Sequence, residues 1–242
     1  MSIHPPLAAQ AKCSVLLAIA FLLSADSMQG ATIVQDDNDY IAFETEIGDI
    51  DNSDGTQPPS ANPGWIVDGV TTGPMPANPS GDSYVVNTDN DLGNAPNDTL
   101  AYEIDLLNDG GYTAYFRYAY TTQNYEGADD RANQNDSWYY QSGSDGASWT
   151  RMNGVGPSLT AWKWRAGGDD VTFSATGTVD WLVSSREDGA ILDRIVLISE
   201  DNTNTISDTY LDSLDNSTVV PEPATAALLG LAGIALLRRR RS

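Results

Sequence analysis

Histidine and cysteine are almost missing from this 242-residue chain: each occurs once, as His4 and Cys13, ahead of or at the start of an apolar run. A domain folded from the remainder has neither. No disulfide can staple it, even in a compartment that would permit one. Nucleophile triads that rely on histidine are excluded, as are the usual zinc sites of His and Cys. Basic charge is also scarce, 12 Lys and Arg against 34 Asp and Glu, for a net charge of −22. A sustained helical period is missing as well. Gly, Asn, Asp, Ser and Pro interrupt the chain roughly every eight to twelve residues, and the short runs between them are rich in β-branched and aromatic side chains.

The two ends differ from the middle. Lys12 precedes the uninterrupted apolar run 14–23, which small and polar residues follow. That is the three-part layout of a secretory signal, here residues 1–31, with cleavage after Ser27, Gly30 or Ala31 left open. Cys13 precedes the run, so it belongs to the signal; a lipidated cysteine would follow it. At the other end Val220, Pro221, Glu222 and Pro223 lead into a mostly apolar stretch, 224–237, and then Arg238, Arg239, Arg240 and Arg241. As a helix the stretch would be about 21 Å long, short of the roughly 30 Å hydrocarbon core. The arginines bias the end of the chain to stay cytoplasmic, placing the rest on the far side. By physics alone this is a C-terminal anchor helix. The Pro-Glu-Pro, the short apolar helix and the arginine cluster in that order closely resemble the PEP-CTERM sorting signal. The resemblance implies processing near Pro221, Glu222 and Pro223 by an exosortase-type transpeptidase and transient residence in the inner membrane. It also implies a Gram-negative host that makes exopolysaccharide, with delivery to the cell surface or matrix.

Between residues 33 and 220 seven basic residues face 32 acidic ones, a balance of −25. Such a surface repels phosphate backbones and anionic lipid, which argues against nucleic acid and suits divalent cations or neutral sugars. The pattern from 32 to 201 predicts one all-β sandwich. Its clearest strands are 40–46, 82–86, 100–106, 112–120, 137–140, 161–165, 170–174, 178–184 and 192–198, with a further short one at 65–67. Alternation puts Tyr112, Ala114, Phe116, Tyr118 and Tyr120 on one face of their strand. Tight turns are expected at 108–111 and 187–189, the latter a hairpin with Arg186 pairing a neighbouring carboxylate. Trp164 and Trp181 are read as core. Residues 202–219 are poor in apolar side chains and read as a linker to the sorting signal at 220–242. The proline-rich stretch 49–79 reads as a long irregular loop. Three Asn-x-Ser/Thr matches, at Asn97, Asn135 and Asn216, are chance occurrences in so Asn-rich a chain.

The series 43–46, 110–117, 135–139, 162–164, 186–189 and 192–197 resembles, in order and spacing, the jelly-roll carbohydrate-binding modules of families 6 and 35, within the galactose-binding-like fold. The resemblance implies a jelly-roll β-sandwich with a structural Ca²⁺ held by Glu44, Glu46 and Asp193. Calcium takes 6–8 oxygen ligands, and carboxylates two apart on a strand share a face. The plain alternative leaves both glutamates solvated while Phe43 and Thr45 point inward. The resemblance also implies a sugar site of aromatic rings on loops, for which Tyr125, Trp149 and Trp162 are candidates, with Asn124 and Asn135 as polar partners. No catalytic residue is singled out. The leading expectation is an exported, non-catalytic protein that binds polysaccharide. A structural calcium-binding matrix protein is the alternative, and a small glycoside hydrolase or lyase a more distant one.

Overall fold

A computed structural model describes residues 31–36, 39–51, 64–69, 79–88, 98–120, 137–144, 148–152, 161–187 and 189–221. Residues 1–30 of the expected signal, Asn124, Tyr125, Asn135 and the tail from Glu222 onward lie outside the described residues, whereas Ala31, the last residue of that expected signal, is described. Within them the chain is a curled β-sandwich of jelly-roll character with one α-helix.

The first sheet is built around β6 (Thr99–Leu106) and β12 (Gly177–Ser184), antiparallel over their full lengths. Next to β12 lies β8 (Trp138–Ser144) and then β9 (Ser148–Met152). On the far edge of β6 lie β1 (Ala31–Val34) and β3 (Asp49–Asp51), and β14 (Thr218–Pro221) covers β1. The second sheet centres on β7 (Gly110–Tyr120) and β13 (Ala190–Ser199). The outer edge of β7 carries β10 (Lys163–Ala166) and β11 (Val171–Phe173). The outer edge of β13 carries β2 (Tyr40–Glu44) and β5 (Ser83–Asn87), with β4 (Trp65–Gly69) beyond β5. One strand joins the two layers. Tyr139 and Tyr140 of β8 pair with β12, whereas Gly143 and Ser144 pair in parallel with β11.

Period-2 alternation explains the core. Tyr112, Ala114, Phe116 and Tyr118 of β7 face Leu100, Tyr102 and Ile104 of β6, all essentially without solvent contact. Phe116 lies 5.4 Å from the Trp138 ring and 6.4 Å from the Trp181 ring, centroid to centroid. Each such side chain contributes about 1.5–3 kcal/mol by leaving water, so the aromatic layer supplies cohesion to a domain that has no disulfide. The links expected at 108–111 and 187–189 to join neighbouring strands do not do so. β6 and β7, like β12 and β13, belong to different sheets, so both links cross between layers.

Residues 202–219 are not a linker. They run back over the outer face of the second sheet, form α1 (Asp208–Ser213) and end in β14. The Ser207 side chain caps α1 by accepting from the Tyr210 backbone N–H. Leu211 is fully buried against Ala42, Val196 and Ile198, with Ile206, Tyr210 and Leu214 packed around it. The average polarity of the segment hid a helical spacing of apolar residues at 206, 210, 211 and 214. Trp164 packs beneath the same cover, outside the sandwich core in which it was expected, and donates from Nε1 to Asp212 at 2.8 Å. Leu211→Ala in the full chain is expected to destabilise the domain by about 2–5 kcal/mol, since it removes a buried side chain from a site that cannot collapse freely. Urea denaturation measures this; an unchanged midpoint would restore the linker assignment.

Candidate functional site

The registers of β13 with β7 run regularly except at one place, where Asp193 is an extra residue between Leu192 and Arg194. A bulge leaves its residue unpaired and turns two successive side chains to one face. Leu192 and Ile195 both enter the sandwich core, while Asp193 and Arg194 point outward. At the same point the edge partner of β13 changes from β5, opposite Leu192, to β2, opposite Arg194. The Thr45 hydroxyl fills the seam, donating to the carbonyls of Leu192 and Asp193 at 2.7 and 3.1 Å.

Glu44, Glu46 and Asp193 are thereby drawn to one place, around the 3-10 turn Ser80–Asp82. Glu44 Oε1 accepts from Ser80 Oγ at 2.6 Å and from Asn216 Nδ2 at 2.7 Å, and Glu46 Oε1 accepts from Ser83 Oγ at 2.6 Å. The other oxygen of each glutamate, Glu44 Oε2 and Glu46 Oε2, is buried without a hydrogen-bond partner. Gly81 lets the turn lie on the two side chains: its φ is +64°, and a Cβ there would meet Glu46 Oε1 at 3.2 Å. Asp193 is committed elsewhere. Its Oδ1 accepts from the Ser80 N–H at 2.8 Å and its Oδ2 from Arg117 Nη1. Among the described residues no group of three or more His, Cys, Asp or Glu side chains is arranged to hold a metal ion. Glu44 and Glu46 each keep one carboxylate oxygen without a protein partner, whereas Asp193 is the ion-pair partner of Arg117.

Arg117 sits between this carboxylate and an aromatic ring, its guanidinium 5.5 Å from the centre of Trp162, which also packs on Tyr84 at 6.0 Å. Arg194 is spent on structure. It donates to the carbonyls of Leu211 and Leu214 at 3.3 and 2.6 Å and to Asn216 at 2.9 Å, satisfying the carboxyl end of α1 and pinning the cover down. Sequence reading missed Arg117, Ser80 and Gly81, which are far from Glu44 and Asp193 along the chain. The signal for Arg117 is its outward parity on a strand whose alternate residues are apolar.

Of the candidate sugar residues, the two that are described, Trp149 and Trp162, are not brought together. Trp162 lies on the outer face of the second sheet, half-buried. Trp149 lies on the outer face of the first, opposite Gln141 in the β8–β9 ladder. Trp65, Trp138 and Trp181 are buried in the core. A cleft of about 270 Å³ opens where β8 leaves β12 to join β11. Phe173, Val179 and Trp181 provide its apolar wall, and Gln141, Thr172 and Asp180 its polar rim. The Leu182 N–H that would otherwise face the diverging strand is taken by Gln141 Oε1 at 2.9 Å. Gln141 thus belongs both to the cleft and to the face that carries Trp149.

The end of the chain, residues 219–241, matches the PEP-CTERM protein-sorting motif. No curated protein matches the chain. Among solved structures, a family 35 carbohydrate-binding module from Clostridium thermocellum is similar at a TM-score of 0.41 and 16% identity, covering 66% of this chain and 98% of its own. The module CBM6cm-2 from Cellvibrio mixtus lichenase 5A, solved in complex with cellotriose, is similar at a TM-score of 0.40 and 14% identity, covering 65% and 95%. A Podospora anserina GH26-CBM35 β-(1,4)-mannanase is similar at a TM-score of 0.46 and 12% identity over 69% of this chain, which spans 29% of that enzyme's length.

Burial pushes the Asp193 carboxyl up to about 7 against the pull of Arg117, and burial likewise raises Glu46, with the Glu44 charge adding to it. An acid raised in the folded state binds more protons there than in the unfolded chain between pH 4 and the folded value, so stability falls as pH rises through that window. In EDTA, melting temperature should drop between pH 5.5 and 7.5. In Arg117→Met the drop should extend above pH 7, because Asp193 loses the cation that favours its charge. A flat profile in both proteins would show that these carboxyls are not raised.

Proposed function

We propose that this chain is an exported protein, directed by its signal and processed at its PEP-CTERM tail by an exosortase-type transpeptidase, whose non-catalytic sandwich binds polysaccharide at the surface or matrix of a Gram-negative cell. The observation that carries the binding assignment is the cleft between β8, β11 and β12. Its apolar wall beside a polar rim suits a pyranose, which has one apolar face and a girdle of hydroxyls. Trp149 extends the same side of the sheet with a ring on which a second sugar can stack. The acidic surface favours a neutral glycan over an anionic one. Asp180 is the only carboxylate among the described residues that line the cleft. Glycoside hydrolysis ordinarily uses a pair of them, which supports binding without turnover. Retention of the secreted protein on a panel of polysaccharide affinity gels is expected. Trp149→Ala and Asp180→Ala should each weaken retention about tenfold or more, equivalent to about 1.4 kcal/mol. Retention untouched by both substitutions would remove the site, and retention on no gel would remove the function.

Placement of Trp149 and Trp162 on opposite faces favours a second reading, a calcium-dependent structural matrix protein without glycan binding. Both readings include a structural Ca²⁺ held by Glu44 and Glu46, supported by the two unpartnered carboxylate oxygens. The ion would add positive charge to a pair that, among the described residues, has only Arg194, 3.9 Å from Glu44 Oε1, beside it, and would tie the turn carrying Gly81 to the end of β2. An ion bound only by the folded state at about 100 times its Kd stabilises by about 2.7 kcal/mol. Calcium is expected to raise the melting temperature by several degrees over EDTA, and Glu46→Gln to abolish the increment. An unmoved melting curve would leave the glutamates without an ion, held by their hydrogen bonds to Ser80, Ser83 and Asn216.

A further inference from the structure

The sorting motif begins inside the folded domain. It starts at residue 219, whereas β14 runs Thr218–Pro221, so Val219, Val220 and Pro221 belong to both. Pairing with β1 sets Val219 opposite Ile33, Val220 opposite Thr32 and Pro221 opposite Ala31. The reading proposed above places the cut near Pro221, Glu222 and Pro223. Glu222 and Pro223 together reach at most about 7 Å beyond the strand. The wall of an active-site cleft is at least one layer of secondary structure, about 10 Å thick. Such a cleft cannot close around this part of the chain while β14 stays on the sheet.

The strand is built to leave. It is the terminal strand of its sheet, and β1 keeps its pairing to β6 without it. None of its four residues is buried, and none enters a hydrophobic cluster. Among the described residues, what holds it beyond the ladder is one exposed side chain: Asp36 Oδ2 accepts from the Thr218 N–H at 3.1 Å and from the Thr218 hydroxyl at 2.8 Å. Immediately upstream the attachment changes in kind. Ser217 is buried, its N–H donates to the Ala42 carbonyl at 2.7 Å, and its hydroxyl accepts from the Ala42 N–H at 3.2 Å. Opening therefore stops between Ser217 and Thr218 and leaves α1 and the core in place. We propose that β14 is a latch on processing: the exosortase-type enzyme acts on a locally opened chain in which residues 218–221 have left β1 while the rest of the sandwich stays folded. This rests on the reading of the tail as a processed sorting signal. Opening adds four residues, about 13–14 Å of reach, enough to carry the Pro-Glu-Pro past a wall of that thickness. The processing rate then follows the population of the opened strand, and Asp36, far outside the motif, helps to set it.

The test follows the full chain, carrying Cys13→Ser, exported in a bacterium that has an exosortase-type enzyme. Asp36→Ala leaves the motif unaltered and removes the acceptor of both Thr218 bonds. It should speed processing about threefold or more, and hydrogen exchange of the purified full chain should accelerate in β14 by a similar factor while β13 is unchanged. Thr32→Cys combined with Val220→Cys puts a thiol at each of two directly opposed positions outside the core, so that oxidation locks the latch. The cross-linked chain should be processed at least tenfold more slowly than the same chain reduced, a comparison that cancels any effect of altering Val220; the chain without the two cysteines, given the same reductant, is the reference. Equal rates with and without the cross-link, or no acceleration in Asp36→Ala, overturn the latch. Acceleration accompanied by faster exchange throughout the sandwich also overturns it, because global unfolding would then expose the motif. A chain with neither change that is exported and never processed removes the sorting reading itself, and the latch with it.

Discussion

An extra residue at position 193 lets β13 serve two incompatible demands at once. Inside, Leu192 and Ile195 must both reach the core; outside, Asp193 and Arg194 must both reach the face that α1 covers. Regular pleating cannot do this, because it would drive one of the two charges into the aromatic layer, where an unpaired charge is severely penalised. The bulge also coincides with the gap between β2 and β5, so the backbone groups it frees are met by Thr45. The carboxylate cluster, the placement of Arg117 and the attachment of residues 202–217 all follow from that one displacement.

The second organising feature is the divided loyalty of β8. By pairing first with β12 and then with β11, it closes the two sheets into one curled surface and leaves a cleft at the point of divergence. A domain without disulfides gains cohesion from this closure, and it acquires a concavity with mixed polarity in the same step. The two ends of the domain are joined in a comparable way by β1 and β14, whose pairing places the start of the sandwich beside the root of the sorting tail.

Much of the strand pattern was legible because period-2 alternation is a local signal: the runs at 100–106, 112–120 and 178–184 are strands with one face in the core, whereas 40–46 is a strand only to Glu44 and 192–198 is a strand interrupted by the bulge at Asp193. The short strands β1, β3, β9 and β14 were not, since three to five residues carry too little periodicity to stand out. In the segment 202–219 mean polarity conceals the packing role, because its few apolar residues are spaced so that four of them suffice to cover a sheet face already built. The links around 108–111 and 187–189 connect strands of different sheets, which turn chemistry cannot distinguish from a hairpin within one sheet.

For the site, sequence alone determined the chemistry available: no histidine or cysteine downstream of residue 13, an excess of carboxylates, and a tail whose order of proline, apolar run and arginines defines a sorting motif. These are properties of composition and adjacency, and folding does not alter them. Which carboxylates meet, and what neutralises them, was decided by tertiary structure. Glu44 and Glu46 keep open oxygens while Asp193 is claimed by Arg117, 76 residues away, and by the Ser80 N–H, 113 residues away. Likewise Trp149 and Trp162, similar in local sequence, were sent to opposite faces. Strand pairing over such separations depends on the register of the whole sandwich, and a one-residue slip exchanges every inward and outward side chain, so no local pattern encodes it.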